Sequence, residues 1–178
     1  MKTLNVVAAI IKKDNKILAT KRGYGEFIDM WEFPGGKIEP NETKEQALIR
    51  EIKEELDCTI KPTKFALNLE YQYPTFYLKM SCFEAIITEG TPKLLEHNDA
   101  RWLSKDELDD VNWIPADIEA VDYLKKPWRT SMDRLQMAKD KKAELEGKLE
   151  KVKGTPREEE FQMQLDKINQ LIEHLENE

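Results

Sequence analysis

Residues 35–58 read GGKIEPNETKEQALIREIKEELDC, a double glycine followed by a stretch rich in acidic and aliphatic residues. Thr43 with Gln46 three residues later is a capping box, in which each side chain hydrogen-bonds the backbone amide of the other residue at a helix start. From Leu48 to Leu56 large aliphatic residues recur every four positions, which is the spacing of one helix face. This segment therefore predicts an amphipathic helix from Thr43 to Leu56.

Three glutamates share one edge of this predicted helix. On a wheel of about 100° per residue, Glu51, Glu54 and Glu55 lie beside the aliphatic face, where crowded carboxylates repel unless a cation neutralises them. Carboxylate oxygens suit Mg²⁺, which keeps several waters and bridges to substrate phosphates, and Mn²⁺ is the alternative ion. One acid would then orient or deprotonate a metal-bound water. A lone Glu-x-x-Glu-Glu also suits a solvated surface, so the wider pattern has to separate the two interpretations.

The composition indicates a cytoplasmic protein whose partner is neither a nucleic-acid polymer nor a membrane. The 178 residues carry a formal charge of -7, whereas a nucleic-acid-binding face needs clustered Lys and Arg. The longest apolar run, Val6 to Ile11, is too short to cross a bilayer, and no leader with a cleavage site precedes it. Cys58 and Cys82 lack metal-ligand spacing, so we expect buried thiols in a reducing compartment.

Hydrophobic patterns over the first part of the chain predict an α+β fold. The predicted strands are Leu4–Lys12, Lys16–Lys21, Phe65–Tyr73 and Phe76–Ile87. Two short helices are expected, one after Ser104 and one from Ala116 to Leu124. Because strand and helix patterns interleave, we expect a mixed sheet with helices packed on its faces.

The chain changes character near Pro127, after which Gly and Pro become scarce and charged residues dominate. This shift predicts a catalytic domain over residues 1–128 and a helical tail over residues 129–178. Apolar residues spaced three and four apart on either side of Gly154 predict a hairpin of two helices, with Thr155 as the N-cap of the second. A hairpin this small gains stability by packing on the catalytic domain or on a second copy in a homodimer.

Residues 36–58 resemble the Nudix hydrolase box, G-x5-E-x7-R-E-U-x-E-E-x-G-U, where U is a bulky aliphatic residue. The matching residues are Gly36, Glu42, Arg50, Glu51, Ile52, Glu54 and Glu55. Asp57 and Cys58 depart from the box, and Asp57 stands where a left-handed helix cap favours glycine. The resemblance implies the Nudix fold, an α/β/α sandwich around a mixed sheet, and hydrolysis of a nucleoside diphosphate linked to another group.

The likeness extends to the MutT branch of this family, from about Leu4 to Leu124. Its markers are WEFPGGKIE at 31–39, EYQYP at 70–74 and IPAD at 114–117. MutT-like enzymes hydrolyse oxidised purine triphosphates, notably 8-oxo-dGTP, to the monophosphate and pyrophosphate through water attack on the β-phosphorus. The CTP pyrophosphohydrolase branch is also similar, so hydrolysis of CTP or of nucleotides in general is one alternative. A non-catalytic module that keeps the box as a scaffold is an alternative of another class.

The resemblance also implies roles for individual residues. The implied metal ligands are Glu51, Glu54, Glu55 and Glu96, with a backbone carbonyl of Gly35 or Gly36. The implied substrate contacts are Arg22 with a phosphate, Phe33 with the base, Asp117 with the edge of the base, and Lys37. Glu42 and Arg50 would pair to brace the loop on the helix, and they join the three helix glutamates as the expected catalytic set.

Two positions bear on the identity of the base. Guanine presents only acceptors at N7 and O6, whereas its oxidised form carries a hydrogen on N7, so an acceptor at Asp117 would distinguish them. The same carboxylate would equally accept from the amino group of cytosine. Phe76 stands where MutT-like enzymes can carry a basic residue, which implies a lost substrate contact and leaves the base open.

Overall fold

The predicted helix is α1, Lys44–Leu56, in a computed structural model that describes residues 1–126 and 131–177. The hydroxyl of its N-cap, Thr43, accepts from the Gln46 amide at 3.1 Å, and the Gln46 side chain accepts from the Thr43 amide at 2.9 Å. Asp57 ends the helix in the left-handed region at φ 50°. The predicted helix and its capping box are therefore confirmed.

The described residues contain a mixed seven-stranded sheet. The strands are β1 Lys2–Lys13, β2 Lys16–Arg22, β3 Trp31–Glu32, β4 Gly35–Lys37, β5 Thr59–Gln72, β6 Phe76–Glu89 and β7 His97–Leu103. Their order is β3-β2-β1-β6-β5, with β4 beside β1 and β7 beside β2. Strand β1 runs parallel to β6 and antiparallel to β2 and β4. The mixed sheet is confirmed, and the four predicted strands correspond to β1, β2, β5 and β6.

Alternate residues of β1 pack in two different cores, because successive side chains of a strand point to opposite faces of the sheet. Val7 belongs to the core that contains Leu48 of α1. Ile10 belongs to the other core, with Val121. The elements that contribute to this second core include α2, Ile118–Lys125, and 3-10 helices at Lys105–Asp110 and Pro115–Asp117. The predicted α/β/α sandwich and its two short helical segments are confirmed.

Sequence periodicity underestimates the sheet in two places. Strand β5 begins at Thr59 instead of Phe65. Pro62 is tolerated in this added part because β5 is the outermost strand, where one row of backbone groups has no neighbour to pair with. Strands β3, β4 and β7 are too short or too polar to show an alternating pattern, and they exist because they pair with β1 or β2.

The described part of the tail is a helical hairpin of α3, Ser131–Val152, and α4, Glu158–Glu176. The predicted apolar stripes form its interior, where Ala138 packs against Ile172 and Leu175. This confirms the two helices, whereas the boundary predicted at residue 128 lies outside the described residues. Pairing of the hairpin with a second copy stays a prediction. In the described residues, no helix is both long enough and apolar enough to cross a membrane.

The predicted N-cap at Thr155 is wrong. An N-cap side chain must accept from a backbone amide, but the Thr155 hydroxyl donates to the Val152 carbonyl at 2.6 Å. The carboxylate of Glu158 accepts from the Gly154 amide at 2.7 Å, one residue before the expected position. These bonds close a turn between the helices, and α4 therefore begins at Glu158.

The capping box of α1 leads to a stability prediction. Thr43→Ala removes the acceptor for the Gln46 amide, and we expect the free energy of unfolding to fall by about 1 kcal/mol. Thr43→Ser keeps an acceptor oxygen and should retain most of that stability. Urea denaturation followed by circular dichroism measures both variants, and equal stability of the two would contradict a capping role.

Candidate active site

A cavity of about 510 Å³ lies between the acidic side of α1 and the ends of β2, β3 and β7. The predicted site residues that line it are Arg22, Phe33, Gly35, Gly36, Lys37, Arg50, Glu51, Glu54, Glu55, Glu96 and Asp117. Glu42 lies behind Arg50, outside the lining. The structure therefore brings together residues that are up to 95 positions apart in the sequence, from Arg22 to Asp117.

The Arg50 guanidinium connects the loop after β4 to the acids of α1. Its Nε and Nη2 atoms donate to the two carboxylate oxygens of Glu42, and Nη2 also donates to the Lys37 carbonyl at 2.9 Å. Its Nη1 atom donates to Glu51 at 3.0 Å and to Glu54 at 3.4 Å. These bonds lower the pKa of Glu42 and raise the pKa of Arg50. The predicted pairing of Glu42 with Arg50 is confirmed.

The three helix glutamates differ in burial. The side chain of Glu54 is 57% exposed and that of Glu51 only 15%, while Glu55 is buried. Burial raises the pKa of Glu51, and it raises the pKa of Glu55 to about 9, with further contributions from Glu32 and Glu51. The Oε2 atom of Glu55 is buried without a hydrogen-bond partner. Ionisation of the Glu55 carboxyl is therefore favoured by a compensating positive charge.

The double glycine allows the backbone of β4 to lie against these acids. A Cβ atom on Gly36 would lie 2.3 Å from the Glu51 carboxylate, and one on Gly35 would lie 2.0 Å from the Val7 carbonyl. The contact at Gly35 is with the backbone of β1, so any other residue there would force the two strands apart. At Gly36 a larger residue would instead displace the carboxylate of Glu51.

The donor set fits a hard divalent cation. In the structure as described for residues 1–126 and 131–177, no three His, Cys, Asp or Glu side chains converge to hold one metal ion. Glu51 and Glu54 instead bond Arg50. Glu55 nevertheless has an unpaired Oε2 atom, and the carboxylate of Glu51 lies against the backbone of Gly36. Both are oxygen ligands of the kind that Mg²⁺ prefers.

The opposite end of the cavity is aromatic. Phe33 is buried and stacks on Trp113, with ring centroids 4.6 Å apart. Tyr73 stacks on Phe76 with ring centroids 4.7 Å apart, so Phe76 adds to an apolar wall. Flat apolar surfaces of this kind suit a nucleobase.

Asp117 is the polar group at this aromatic end. Its Oδ2 atom accepts from the Phe33 amide at 2.8 Å. Burial raises its pKa to about 8, with an additional contribution from the charge of Glu32. Asp117 is therefore largely protonated at neutral pH, and a protonated carboxyl both donates and accepts hydrogen bonds.

The residues of the cavity lining that sequence reasoning missed include Glu32, Tyr73 and His97. Glu32 and Tyr73 lie within the markers WEFPGGKIE and EYQYP, which by themselves indicate no role for either side chain. His97 follows Glu96, and only the pairing of β7 with β2 brings it to the cavity. A carboxylate between the aromatic residues Trp31 and Phe33 was the available signal for Glu32, whereas His97 gave none.

Comparison with known proteins agrees with this architecture. The NUDIX domain family matches residues 1–135, and the chain belongs to that family. The CTP pyrophosphohydrolase of Escherichia coli (strain K12) is 33% identical over 123 residues, which cover 68% of this chain and 91% of that protein. The 8-oxo-dGTP diphosphatase of the same strain is 35% identical over 130 residues, which cover 71% of this chain and 99% of that protein.

A solved structure supports the same assignment. MutT of methicillin-resistant Staphylococcus aureus 252, described as a DNA mismatch repair protein of the Nudix hydrolase family, is 42% identical, with a TM-score of 0.58. The match covers 72% of this chain and all of that protein. The chain is thus a MutT-like Nudix hydrolase, an enzyme of a class that acts on pyrophosphate bonds and generally uses divalent metal ions.

The raised pKa of Asp117 leads to a prediction about stability and pH. The carboxyl pKa is 3.8 in ordinary surroundings and about 8 in the folded chain, so between these values the folded state binds more protons than the unfolded state. Stability of the wild type should therefore fall as pH rises across this window, by about 1 kcal/mol per pH unit from Asp117 alone. The amide side chain of Asp117→Asn does not titrate in this range, so the variant lacks this contribution to the pH dependence of stability.

The measurement is the free energy of unfolding of both proteins at several pH values between 4 and 9. We expect the difference between Asp117→Asn and the wild type to shift in favour of the variant as pH rises. Glu55 also has a raised pKa, but its contribution is common to both proteins and cancels in the difference. A difference that does not change with pH would show that Asp117 is ionised throughout.

Proposed function

We propose that the chain is a Mg²⁺-dependent nucleoside triphosphate pyrophosphohydrolase that releases a nucleoside monophosphate and pyrophosphate. Its leading substrates are oxidised purine triphosphates such as 8-oxo-dGTP, so it would act in protection of DNA. The observation that carries this proposal is one cavity with carboxyl groups at one end, among them buried Glu55 with an unpaired oxygen, and a stacked aromatic wall beside Asp117 at the other. Such a cavity suits a phosphate chain and a base at opposite ends.

The residues at the acidic end would divide the work of hydrolysis. Glu51, Glu54, Glu55 and Glu96, with a carbonyl of Gly35 or Gly36, would hold Mg²⁺, and Mn²⁺ could replace it. When bound, the cation would withdraw charge from phosphate oxygens and make a coordinated water more acidic. Arg22 and Lys37 line the same cavity and would donate to phosphate oxygens.

The proposed chemistry is attack by water on the β-phosphorus. A bond forms between the water oxygen and that phosphorus, and the bond from the phosphorus to the oxygen shared with the α-phosphate breaks. The bridging oxygen leaves with the monophosphate, and the water proton passes to one of the helix carboxylates. The ion pairs of Arg50 with Glu42 and Glu51 would keep those carboxylates in place.

Asp117 favours a base that presents a donor beside an acceptor. A protonated carboxyl would accept from N7–H of oxidised guanine while donating to O6, and unmodified guanine lacks that hydrogen. Cytosine also presents a donor beside an acceptor, at N4 and N3, so CTP is the second candidate. The similar identities of the two Escherichia coli relatives, 33% and 35%, support both candidates equally.

A non-catalytic binding module is the least favoured alternative. A scaffold has no evident need to bury the Oε2 atom of Glu55 without a hydrogen-bond partner, because that arrangement costs stability. The two cysteines are free and buried, which supports the proposed cytoplasmic location.

A substrate panel tests the proposed reaction. The purified protein is incubated with Mg²⁺ and 8-oxo-dGTP, dGTP, CTP, 5-hydroxy-CTP or ADP-ribose, and pyrophosphate and orthophosphate release are measured separately. We expect release of pyrophosphate, and we expect kcat/KM to be higher for 8-oxo-dGTP than for dGTP and the other substrates of the panel. Orthophosphate as the sole product would refute attack at the β-phosphorus, and a preference for CTP would select the second candidate.

Removing one helix carboxylate tests the metal site. We expect Glu54→Gln to lower kcat by about 100-fold or more, because Glu54 would serve as a ligand or as the base. Its side chain is 57% exposed, so the fold should persist. Glu45→Gln is the matched control, since Glu45 is an exposed glutamate of the same helix outside the cavity lining. Equal activity of the two variants would contradict the proposed site.

A further inference from the structure

Glu32 joins two basic side chains in the lining of the cavity. Its Oε2 atom accepts from Arg22 Nη1 at 2.9 Å, and its Oε1 atom lies 3.3 Å from His97 Nε2. The three residues come from β3, β2 and β7, where β2 pairs with both neighbours and Arg22 is in register with His97. The Glu32 carboxylate thus links three strands through side chains, in addition to their backbone bonds.

Burial makes this link unlike a surface ion pair. The side chain of His97 is only 4% exposed and that of Glu32 15%, so solvent screens their interaction weakly. The Nδ1 atom of His97 is buried without a hydrogen-bond partner. Among the described residues, the only other such side-chain atom belongs to Glu55, and both line the same cavity. A fold that leaves a polar atom unpaired gives up stability, which is typical of residues retained for a functional site.

The link determines which donors of Arg22 are available to a ligand. Nη1 is engaged by Glu32, and Nε points toward the Tyr24 carbonyl at 3.4 Å. In the described part of the chain Nη2 makes no hydrogen bond, and Arg22 lines the cavity. A guanidinium held by two of its nitrogens presents the third in a fixed direction, and it loses less conformational freedom when a phosphate binds.

We propose that Glu32 and His97 are positioning residues, which together hold the Arg22 guanidinium so that its remaining donor meets the phosphate chain of the substrate. This inference rests on the proposed function, because it takes a nucleoside triphosphate as the ligand. Neither residue touches the reacting atoms. Their effect is expected in the binding of the phosphate chain, and the chemical step should change little.

An ion pair elsewhere in the sheet provides a matched control. Lys12 and Glu84 are joined at 2.7 Å, with side chains 21% and 9% exposed, so this pair resembles Arg22 and Glu32 in burial and geometry. Neither residue lines the cavity. Glu84→Gln therefore makes the same chemical change as Glu32→Gln, with a similar effect on the sheet and none on the substrate.

Steady-state kinetics with 8-oxo-dGTP and Mg²⁺ test the proposal. We expect Glu32→Gln and His97→Leu each to raise KM about tenfold, with kcat within about threefold of the wild type. His97→Gln keeps a donor near the position of Nε2 and should restore most of the loss. Glu84→Gln should leave KM unchanged, although it lowers the melting temperature. A lower KM for Glu32→Gln would overturn the proposal, because it would show that Glu32 only competes with the phosphates for Arg22.

A double-mutant cycle separates positioning from a general structural role. If Glu32 acts through Arg22, then Glu32→Gln should raise KM no further in the background of Arg22→Met. Fully additive effects would overturn the proposal. So would a change in the Mg²⁺ concentration for half-maximal activity with an unchanged KM, since Glu32 would then act at the metal.

Binding of a non-hydrolysable α,β-methylene triphosphate, measured by calorimetry, keeps this inference distinct from the proposed function. A wild type that binds the analogue without hydrolysing any triphosphate would refute the proposed function. The dissociation constants of the same variants would still test positioning, with a tenfold increase expected for His97→Leu and none for Glu84→Gln. Equal dissociation constants for all variants, or no binding by the wild type, would overturn the positioning role.

Discussion

The acidic end of the cavity depends on the hydrogen bonds that the Arg50 guanidinium donates. The guanidinium holds both oxygens of Glu42, the carbonyl of Lys37 and the carboxylate of Glu51, so the loop after β4 and the middle of α1 are fixed to each other. These partners need several donors in one plane, which lysine does not offer. The arrangement explains why arginine and glutamate eight residues apart accompany the acids of α1.

Burial of acids beside an apolar core is costly, and the rest of α1 offsets that cost. Leu48, Ile52 and Leu56 are fully buried under the sheet, so the helix stays in place although Glu55 on its margin has no partner for Oε2. The same arrangement suits the proposed metal site. Carboxyls held together at low solvent exposure gain more from a divalent cation than exposed ones would, because the cation removes their mutual repulsion.

The parts of the fold that depend on local patterns could be predicted from the sequence, and those that depend on tertiary pairing could not. The capping box of Thr43 and the aliphatic spacing of α1 are local signals, and both gave the correct helix. Strand β7 has no alternating pattern, since it exists through pairing with β2, and the place of His97 could not be inferred without it. The N-cap of α4 was misplaced for a related reason. The Thr155 hydroxyl can either accept or donate a hydrogen bond, and in the turn it donates to the Val152 carbonyl.

The candidate site divides in the same way. The box motif and its spacing identified the acids, Arg50 and the glycines, because one helix and one strand carry them. Glu32 lies within the marker WEFPGGKIE, but its partners come from two other strands, so the sequence alone indicates no role for it.

The interruptions of β5 have a separate consequence for the whole molecule. Pro62 and three shifts of register interrupt β5, which is the edge strand of the sheet. A strand of another molecule therefore could not pair with β5 along its full length, which disfavours polymerisation through this edge at high concentration.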